Sequence, residues 1–189
     1  MNKLGTERLE TEKLNLRRFT PEDAKDMYEN WASDPLVTKY LTWPVHESVE
    51  VSKMVIGSWI ASYFDGGYFN WAIESKDDGK VIGNISVVKL KEEALAADIG
   101  YALSRSYWGQ GIMTEALKAV MDFLFDEVGL NRVAACHDPN NPASGRVMEK
   151  AGMKYEGILR EAGKNNTGIC DEVWHSMIRS ERTDRKNGN

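Results

Sequence analysis

A loop with two glycines, Gly109 and Gly111, separates a predicted strand that ends near Leu103 from a predicted helix that begins near Met113. Glycine has no Cβ, so successive backbone N–H groups of such a loop can turn toward one point. The first helical turn adds N–H groups without partners in the helix, together with the positive end of the helix dipole. The pattern therefore predicts a phosphate-binding loop, and a plain tight turn into a helix is the alternative.

Two better-known phosphate motifs do not fit this loop. A dinucleotide-binding fingerprint would place its third glycine at Thr114 and would follow a parallel strand–helix–strand unit. A P-loop would continue with Gly-Lys-Ser or Gly-Lys-Thr, and no such run follows Gly111. A phosphate held by this loop would therefore be bound through the backbone in another kind of fold, and the plain tight turn remains the alternative.

The hydrophobic periodicity predicts a mixed α/β chain around this loop. Alternating apolar and polar residues predict strands, and apolar residues at helical spacing predict helices. The predicted strands are residues 9–19, 68–75, 81–90, 96–103, 132–136, 155–160 and 169–178, and the predicted helices are residues 20–31, 47–63, 113–128 and 141–152. The middle strands form an antiparallel meander, whereas the strand–helix–strand connection around residues 113–128 predicts one parallel pair.

The length and composition predict one globular domain. A chain of 189 residues has the length of one domain, and 42% hydrophobic with 28% charged residues excludes a wholly disordered chain. We expect a single domain over residues 1–180 and a flexible C-terminal tail over residues 181–189. The 24 basic and 29 acidic side chains give a net charge of −5, which argues against a nucleic-acid partner.

Location and metal content can also be predicted. The most apolar stretch, residues 54–64, is about half as long as a membrane-spanning helix, and the first residues show no secretory signal. Cys136 and Cys170 lie far apart without the spacing of metal ligands, so the sequence predicts no metal site. We therefore expect a cytoplasmic protein that does not contact membranes and has two reduced, buried thiols.

Four segments of the chain resemble the acetyl-CoA motif of the GNAT superfamily of N-acetyltransferases. They read YWGQGIMTEA at 107–116, NRV at 131–133, NPAS at 141–144 and EKAGM at 149–153, and they are most similar to the RimJ/RimL-like branch of ribosomal-protein N-acetyltransferases. The resemblance covers residues 8–180. It implies a GNAT fold of the mixed α/β class, with about seven mostly antiparallel strands and about four helices. It also implies a bulge in strand 96–103 and a sheet that splays between its fourth and fifth strands.

The resemblance implies acetyl-CoA as the acetyl donor and coenzyme A as the product. Backbone N–H groups of the loop and the first helical turn would bind the pyrophosphate; these residues are Ser106, Tyr107, Trp108, Gly109, Gln110, Gly111, Ile112, Met113 and Thr114. Tyr101, Ala102 and Leu103 would pair with the pantetheine arm through backbone groups, and Asn141 would hydrogen-bond the cofactor. Asn141 followed by Pro142 is also typical of a plain helix N-cap.

The resemblance also implies catalytic residues, with two departures from the family pattern. Many members carry a tyrosine at the position of Met148 as the acid that protonates the departing thiolate, and methionine cannot do this. In the RimL-like branch a serine at the position of Ser144 is similar to the proposed acid, so Ser144 is expected to contact the cofactor and to act as this catalytic acid. Asp98 falls where several members carry a base or a water-holding carboxylate. The alternative for Ser144 is an ordinary first-turn serine, and the alternative for Asp98 is a paired strand acid. The family often has Arg or Gln where Ser106 stands, which leaves the bracing of the loop open.

The resemblance thus implies acetyl transfer to a primary amine, either a protein N-terminal α-amino group or a small amine. The amine would attack the thioester directly through a tetrahedral intermediate, stabilised by a backbone N–H near Ala102 or Leu103. Residues 39–46 and the loop at 163–168 are expected to select the acceptor. A coenzyme A-binding sensor or interaction module without catalysis is the alternative function, and both a monomer and a homodimer remain open.

Overall fold

The computed structural model of the chain describes residues 1–182, with an eight-stranded sheet at the centre. The strands are β1 (Leu9–Glu10), β2 (Leu14–Arg17), β3 (Asn70–Ser75), β4 (Val81–Lys91), β5 (Ala96–Leu103), β6 (Arg132–His137), β7 (Lys154–Asn165) and β8 (Gly168–Ile178). Their order across the sheet is β1-β2-β3-β4-β5-β6-β8-β7. Neighbouring strands are antiparallel except β5 and β6, which are parallel. The predicted mixed sheet with one parallel pair is confirmed.

Five helices lie beside the sheet in this part of the chain. They are α1 (Ala24–Met27), α2 (Pro35–Thr38), α3 (Val49–Ser62), α4 (Ile112–Phe123) and α5 (Pro142–Ala151). α1 continues into a π-helical turn at Tyr28–Ala32, and α4 continues into another at Leu124–Val128. With these turns included, the two helical segments end close to the predicted ends at residues 31 and 128. No helix of the described chain combines the length and apolar content that a bilayer crossing requires.

α2 is not among the predicted helices, although the sequence contains a signal for it. The Asp34 carboxylate accepts a hydrogen bond from the Leu36 N–H at 2.9 Å, and Pro35 occupies the first helical position. Both features favour a helix start. The helix is only four residues long, so it offers no hydrophobic periodicity to detect.

The predicted first strand, residues 9–19, is instead a hairpin made of β1 and β2. Thr11 reverses the chain, because its N–H donates to the Leu14 carbonyl at 3.0 Å and the Leu14 N–H donates to its hydroxyl at 3.0 Å. β2 then pairs with β3, with Leu16 opposite Ile73. The sheet therefore has eight strands, and the parallel pair is formed by the fifth and sixth of them.

Hydrophobic clusters cover both faces of the sheet. On one face α4 and α5 pack over odd-numbered residues of β5, including Ile99 and Leu103. On the other face α1, α2 and α3 pack in a second cluster that contains Ala102. We refer to these as the α4–α5 face and the α1–α3 face. The apolar stripe predicted for α4 lies in the first cluster, with Met113, Ala116, Leu117, Val120 and Met121 buried.

The end of the described chain is bound to the domain. Glu181 pairs with Lys154 at 2.7 Å, and Arg182 pairs with Asp122 at 2.7 Å. Residues 181 and 182 belong to the tail that the sequence predicts to be flexible. The rest of that predicted tail, residues 183–189, lies outside the described residues.

An ion pair between Glu156 and Arg132 makes the stability of the fold depend on pH in the acidic range. Arg132 Nη1 lies 2.6 Å from Glu156 Oε1, and the Ser176 hydroxyl donates to the same oxygen at 2.6 Å. The hydrogen bonds from Arg132 lower the pKa of Glu156 from 4.5 to about 2, with a further contribution from Ser176. A depressed carboxyl pKa gives stability that is present above pH 4.5 and is lost as the pH falls toward 2.

We therefore expect Glu156→Gln to flatten the fall of the melting temperature as the pH is lowered from 4.5 toward 2. Both side chains are partly exposed, so solvent screening keeps the effect modest. Thermal melts at several pH values test this. Glu10→Gln is the control, because Glu10 forms an exposed ion pair with Arg8. Equal acid dependence for Glu156→Gln and wild type would contradict the expectation.

Candidate active site

β5 and β6 leave an open wedge between them. Their parallel pairing covers only residues 96–98 of β5 and 132–134 of β6. β5 continues to Leu103 and β6 to His137. This β5–β6 wedge, bounded by residues 99–103 and 135–137, is closed at the pair Asp98–Ala134. It opens toward the ends of both strands, after which α4 and α5 begin. The predicted splay is present, between the fifth and sixth strands.

The backbone of β5 offers hydrogen-bonding groups to the wedge at every second residue. The Ser104 N–H donates to the Ile82 carbonyl of β4 at 2.7 Å. Strand alternation therefore directs the backbone groups of Ala102 toward β4 as well, and those of Tyr101 and Leu103 into the wedge. Tyr101 and Leu103 thus fit the predicted pairing with a pantetheine arm. Ala102 does not, since its backbone faces β4.

The bulge lies on β4 and not on β5, where the family resemblance places it. The register steps from Val87 opposite Ile99 to Lys89 opposite Asp98, so Val88 is the extra residue. A bulge increases the local twist of a strand pair. The added twist lies where β5 leaves β6, immediately after Asp98.

The loop between β5 and α4 has the geometry of a phosphate cradle. Gly109 and Gly111 adopt left-handed φ angles of 75° and 79°, and a Cβ built on either glycine would meet no atom within 4 Å. Gly111 is the N-cap of α4 and brings no side chain to its first N–H groups. Glu115, the acidic residue of the first turn, accepts the Lys13 N–H at 2.9 Å. Uncapped N–H groups, permissive backbone and open space together fit a diphosphate.

The first residues of α4 offer backbone groups to this cradle. The Glu115 N–H makes the first helical bond, to the Gly111 carbonyl at 3.0 Å. The N–H groups of Ile112, Met113 and Thr114 precede that ladder and have no partner within the helix. The side chains of Ile112 and Met113 are buried in the core and anchor the helix.

Two side chains of the loop brace it internally. Gln110 Nε2 donates to the Ser106 carbonyl at 2.8 Å. The Trp108 indole N–H donates to the Leu103 carbonyl at 2.8 Å and occupies that acceptor at the mouth of the wedge. Ser106 stands where the family often has Arg or Gln, and the Gln110 side chain braces the loop here instead.

Two further contacts tie the loop to distant segments. The Tyr107 hydroxyl donates to Asp78 Oδ2 at 3.1 Å, in the β3–β4 turn. Burial, together with Asp78, raises the pKa of Tyr107, so its phenol stays protonated at neutral pH. Arg105 Nε lies 2.9 Å from Asp34 Oδ2 at the start of α2. The positions of the Tyr107 and Arg105 side chains are thus set by carboxylates outside the loop.

Two hydroxyl groups, those of Tyr101 and Ser144, meet across the α4–α5 side of the wedge. Tyr101 Oη lies 2.9 Å from Ser144 Oγ, a pair in which either hydroxyl can donate, and 3.1 Å from the Ser144 carbonyl oxygen, which is a second acceptor for the same phenol hydrogen. Burial raises the pKa of Tyr101 well above its ordinary value of 10, so the phenol is neutral. The family resemblance assigns Tyr101 a backbone role alone. The alternation of side chains along β5 is the signal for its second role, because it places the Tyr101 side chain on the same face as Ile99 and Leu103.

The start of α5 explains the two other residues singled out in this helix. Asn141 occupies the N-cap position, but its side chain makes no capping hydrogen bond. The plain N-cap alternative is therefore not realised by its carboxamide. Met148 is 1% exposed and belongs to the core, so the position at which family members carry a tyrosine acid is a packing position here.

Asp98 lies at the closed end of the wedge. It is 7% exposed and forms the last pair with β6, opposite Ala134. Lys91 Nζ bonds both of its carboxylate oxygens, at 3.0 and 2.9 Å. The location fits the predicted base, and the ion pair shows that the alternative, a paired strand acid, also holds.

The two cysteines are free and partly exposed, so the prediction of two buried thiols is wrong. Partial burial nevertheless raises the pKa of Cys136 to about 12 and also raises that of Cys170. Thiols with raised pKa values are poor nucleophiles near neutral pH. Within residues 1–182, no group of three or more His, Cys, Asp or Glu side chains is arranged to hold a metal ion.

The sequence is similar to that of known N-acetyltransferases. Residues 13–154 match the acetyltransferase (GNAT) domain family. The uncharacterized N-acetyltransferase YoaA of Bacillus subtilis (strain 168) is 31% identical over 171 residues, which cover 90% of this chain and 96% of that protein. The ribosomal-protein-serine acetyltransferase of Escherichia coli (strain K12) is 28% identical over 171 residues, which cover 89% and 94%.

A solved structure shows the same fold. RimL, the ribosomal L7/L12 α-N-protein acetyltransferase in complex with coenzyme A, has a TM-score of 0.81 and 23% identity, and covers 91% of this chain and 98% of that one. The family match spans most of the chain, and the relatives align over nearly their full length. This chain therefore belongs to the GNAT family, as an acetyl-CoA-dependent N-acetyltransferase similar to the RimJ/RimL-type enzymes.

Proposed function

We propose that the protein transfers the acetyl group of acetyl-CoA to a primary amine, either a protein N-terminal α-amino group or a small amine. The donor supplies an activated thioester carbonyl, which the amine attacks directly through a tetrahedral intermediate. The residues of this chain hold the donor, orient the acceptor and return a proton to the departing thiolate. Neither cysteine needs to carry the acetyl group, in keeping with the raised pKa values of both thiols.

The observation that supports this proposal most is the phosphate cradle at the open end of the wedge. A diphosphate bound at Gly109 and Gly111 would lead its attached arm to the unpaired edge of β5, where Tyr101 presents its backbone groups and Leu103 its N–H. An extended ligand can add to such an edge as a strand does. The arm would then run between Ser144 on one face and Asp98 on the other.

The oxyanion of the intermediate needs a donor fixed in advance. The Leu103 N–H points into the wedge by strand alternation, whereas that of Ala102 points to β4. We therefore assign the oxyanion donor to the backbone of Leu103 or Tyr101. Such a preorganised amide acts by electrostatic stabilisation of the developing charge.

The acceptor determines how strong a base the site requires. An α-amino group with a pKa near about 8 is roughly one-tenth neutral at pH 7, whereas a lysine amine near about 10.4 is neutral in less than about one part in a thousand. Asp98 is held at the closed end of the wedge by Lys91 through both oxygens. Carboxylates in general are weak bases, so a site that relies on one suits an α-amino acceptor better than a lysine side chain.

Asp98→Asn tests the role of Asp98. We expect kcat/KM to fall by about tenfold or more and the acidic limb of its pH profile to change, because the base is lost. Lys91→Met is the control, since it removes the ion pair and keeps the carboxylate. A profile of Asp98→Asn with the shape of the wild-type profile would limit Asp98 to its structural ion pair.

The function itself is tested by incubating the protein with acetyl-CoA and a panel of amines and N-terminal peptides. We expect acceptor-dependent release of the coenzyme A thiol and a product heavier by one acetyl group. Binding of coenzyme A without turnover on any amine would favour the sensor or interaction module. No thermal stabilisation by coenzyme A far above the expected Kd would overturn the proposal altogether.

A further inference from the structure

We propose that Asn166 determines acceptor specificity, because it fastens the β7–β8 turn to residues 38–43 and so roofs the α1–α3 side of the β5–β6 wedge. This inference rests on the acetyl-transfer function proposed above. It concerns the acceptor side of the sheet and not the donor site. Asn166 would act as a positioning residue, through the segments that it joins.

Asn166 directs all of its N–H groups to one distant segment. Its backbone N–H donates to the Leu41 carbonyl at 3.1 Å. Its Nδ2 donates to the Thr38 carbonyl at 2.8 Å and to the Trp43 carbonyl at 2.7 Å. A carboxamide can make both side-chain bonds at once, because its nitrogen carries two hydrogens. An aspartate of the same size could make neither.

The sheet order places this junction above the wedge. α2 lies against β5, and Val37 of α2 shares a hydrophobic cluster with Ala102 of β5 on the α1–α3 face. Residues 38–43 continue from α2. The turn that carries Asn166 comes from β7 and β8, which lie beyond β6. A contact between these two segments therefore crosses β6 and the wedge.

Each of the two segments that Asn166 joins, the α2 segment and the β7–β8 turn, is also anchored by an interaction of its own. Asp34, at the start of α2, is bonded to Arg105 of the cradle loop at 2.9 Å. Asn165, next to Asn166 in the turn, donates from Nδ2 to Asp138 Oδ2 at 2.8 Å. The two halves are thus fixed at their outer ends, and the hydrogen bonds of Asn166 join them in the middle.

The surface of β5 and β6 under this roof, called the floor below, belongs to the reaction site. Asp98 faces the α1–α3 side, and its partner Ala134 is followed on the same face by Cys136, which stands opposite Trp174 of β8. An acceptor amine on this face would pass between floor and roof to reach the wedge. A joined roof admits a thin amine, such as a small amine or the end of an extended peptide. It excludes broad acceptors.

The test compares Asn166→Ala and Asn166→Asp with the wild type on primary amines of increasing width, including short peptides that differ only in their first residue. We expect the kcat/KM ratio of narrow to wide acceptors to fall by about fivefold or more, since a pocket distinguishes substrates by about tenfold or more per small group. The KM for acetyl-CoA should stay within about twofold of the wild-type value, because the donor site is untouched.

Asn2→Ala is the matched control. Asn2 also joins two distant segments, because its backbone N–H donates to the Val128 carbonyl and its Nδ2 to the Glu127 carbonyl, both at 2.7 Å, and neither segment borders the wedge. Its acceptor ratio should equal that of the wild type. A purely structural role of Asn166 would lower activity equally on all amines, and an unchanged ratio in both Asn166 variants would overturn the proposal. Acetyl transfer by the wild type is measured in parallel, so that failure of the proposed function is seen separately.

Discussion

Gly111→Ala is expected to bind coenzyme A about a hundredfold more weakly than the wild type, which corresponds to about 3 kcal/mol. Gly111 has a φ of 79° and is the N-cap of α4. An L-residue resists this conformation by about 1–2 kcal/mol. If the backbone relaxes, the N–H groups of Ile112 and Met113 turn away from the phosphates. Each charge-assisted hydrogen bond lost costs about 1.5–3 kcal/mol.

If the backbone does not relax, the added methyl group produces the same result by a different route. A Cβ on Gly111 meets no protein atom within 4 Å, so the protein itself accommodates it. The methyl group would then project into the open space of the cradle, where the diphosphate is expected. Either outcome weakens binding without disturbing the core.

Gly129→Ala separates this effect from backbone strain. Gly129 follows the π-helical turn at the far end of the same helix, with a φ of 87° and Met1 Cα 3.9 Å from a built Cβ. Both variants should lose a similar amount of stability, and Gly129→Ala should keep the wild-type Kd. Calorimetric titration with coenzyme A and thermal melts measure the two quantities. A Kd for Gly111→Ala within about twofold of the wild-type value would refute the phosphate cradle.

The parts of the fold that depend on local sequence could be predicted. The apolar spacing of α4 fixes the helix and the face that it buries, and the strand–helix–strand connection fixes the parallel pair. The hairpin within residues 9–19 is difficult to predict. The chain reversal depends on hydrogen bonds between Thr11 and Leu14, and apolar and polar residues alternate on both sides of it as in one continuous strand. A four-residue helix such as α2 is too short to produce a periodic pattern.

The candidate site likewise has a part that could be predicted from the sequence and a part that could not. The cradle follows from the spacing of Gly109 and Gly111 before a helix, since backbone conformation and helix start are local properties. The side-chain contacts of the site join residues far apart in the chain, as in the pairs Tyr101–Ser144 and Asn166–Thr38. Such contacts depend on how strands are ordered in the sheet. The residues by themselves do not reveal that order.

Ser144→Ala is expected to lower kcat by about tenfold to a thousandfold, as for loss of a general acid, while the Kd of coenzyme A changes little. Ser144 stands in the first turn of α5, and its hydroxyl touches Tyr101 Oη at 2.9 Å. If Tyr101 donates to Ser144 Oγ, the serine hydrogen is directed away from the tyrosine and toward the departing thiolate. The neutral phenol of Tyr101 makes this orientation available at neutral pH.

Tyr101→Phe distinguishes the acid from the residue that positions it. It should lower kcat by about tenfold, less than Ser144→Ala, because the serine hydroxyl remains but is no longer oriented. The double variant should be no slower than Ser144→Ala alone, since both changes act on the same proton. Multiplied effects in the double variant would instead mean that the two hydroxyls act independently.

Single-turnover measurements locate these effects at the chemical step. Ser58→Ala is the control, because the Ser58 hydroxyl bonds only the Val55 carbonyl of its own helix, at 2.7 Å, among its described contacts. With acetyl-CoA saturating, Ser58→Ala should match the wild type and Ser144→Ala should remain slow. A wild-type kcat for Ser144→Ala would assign the proton to another donor. Ser144 would then be a first-turn serine that holds Tyr101 in place.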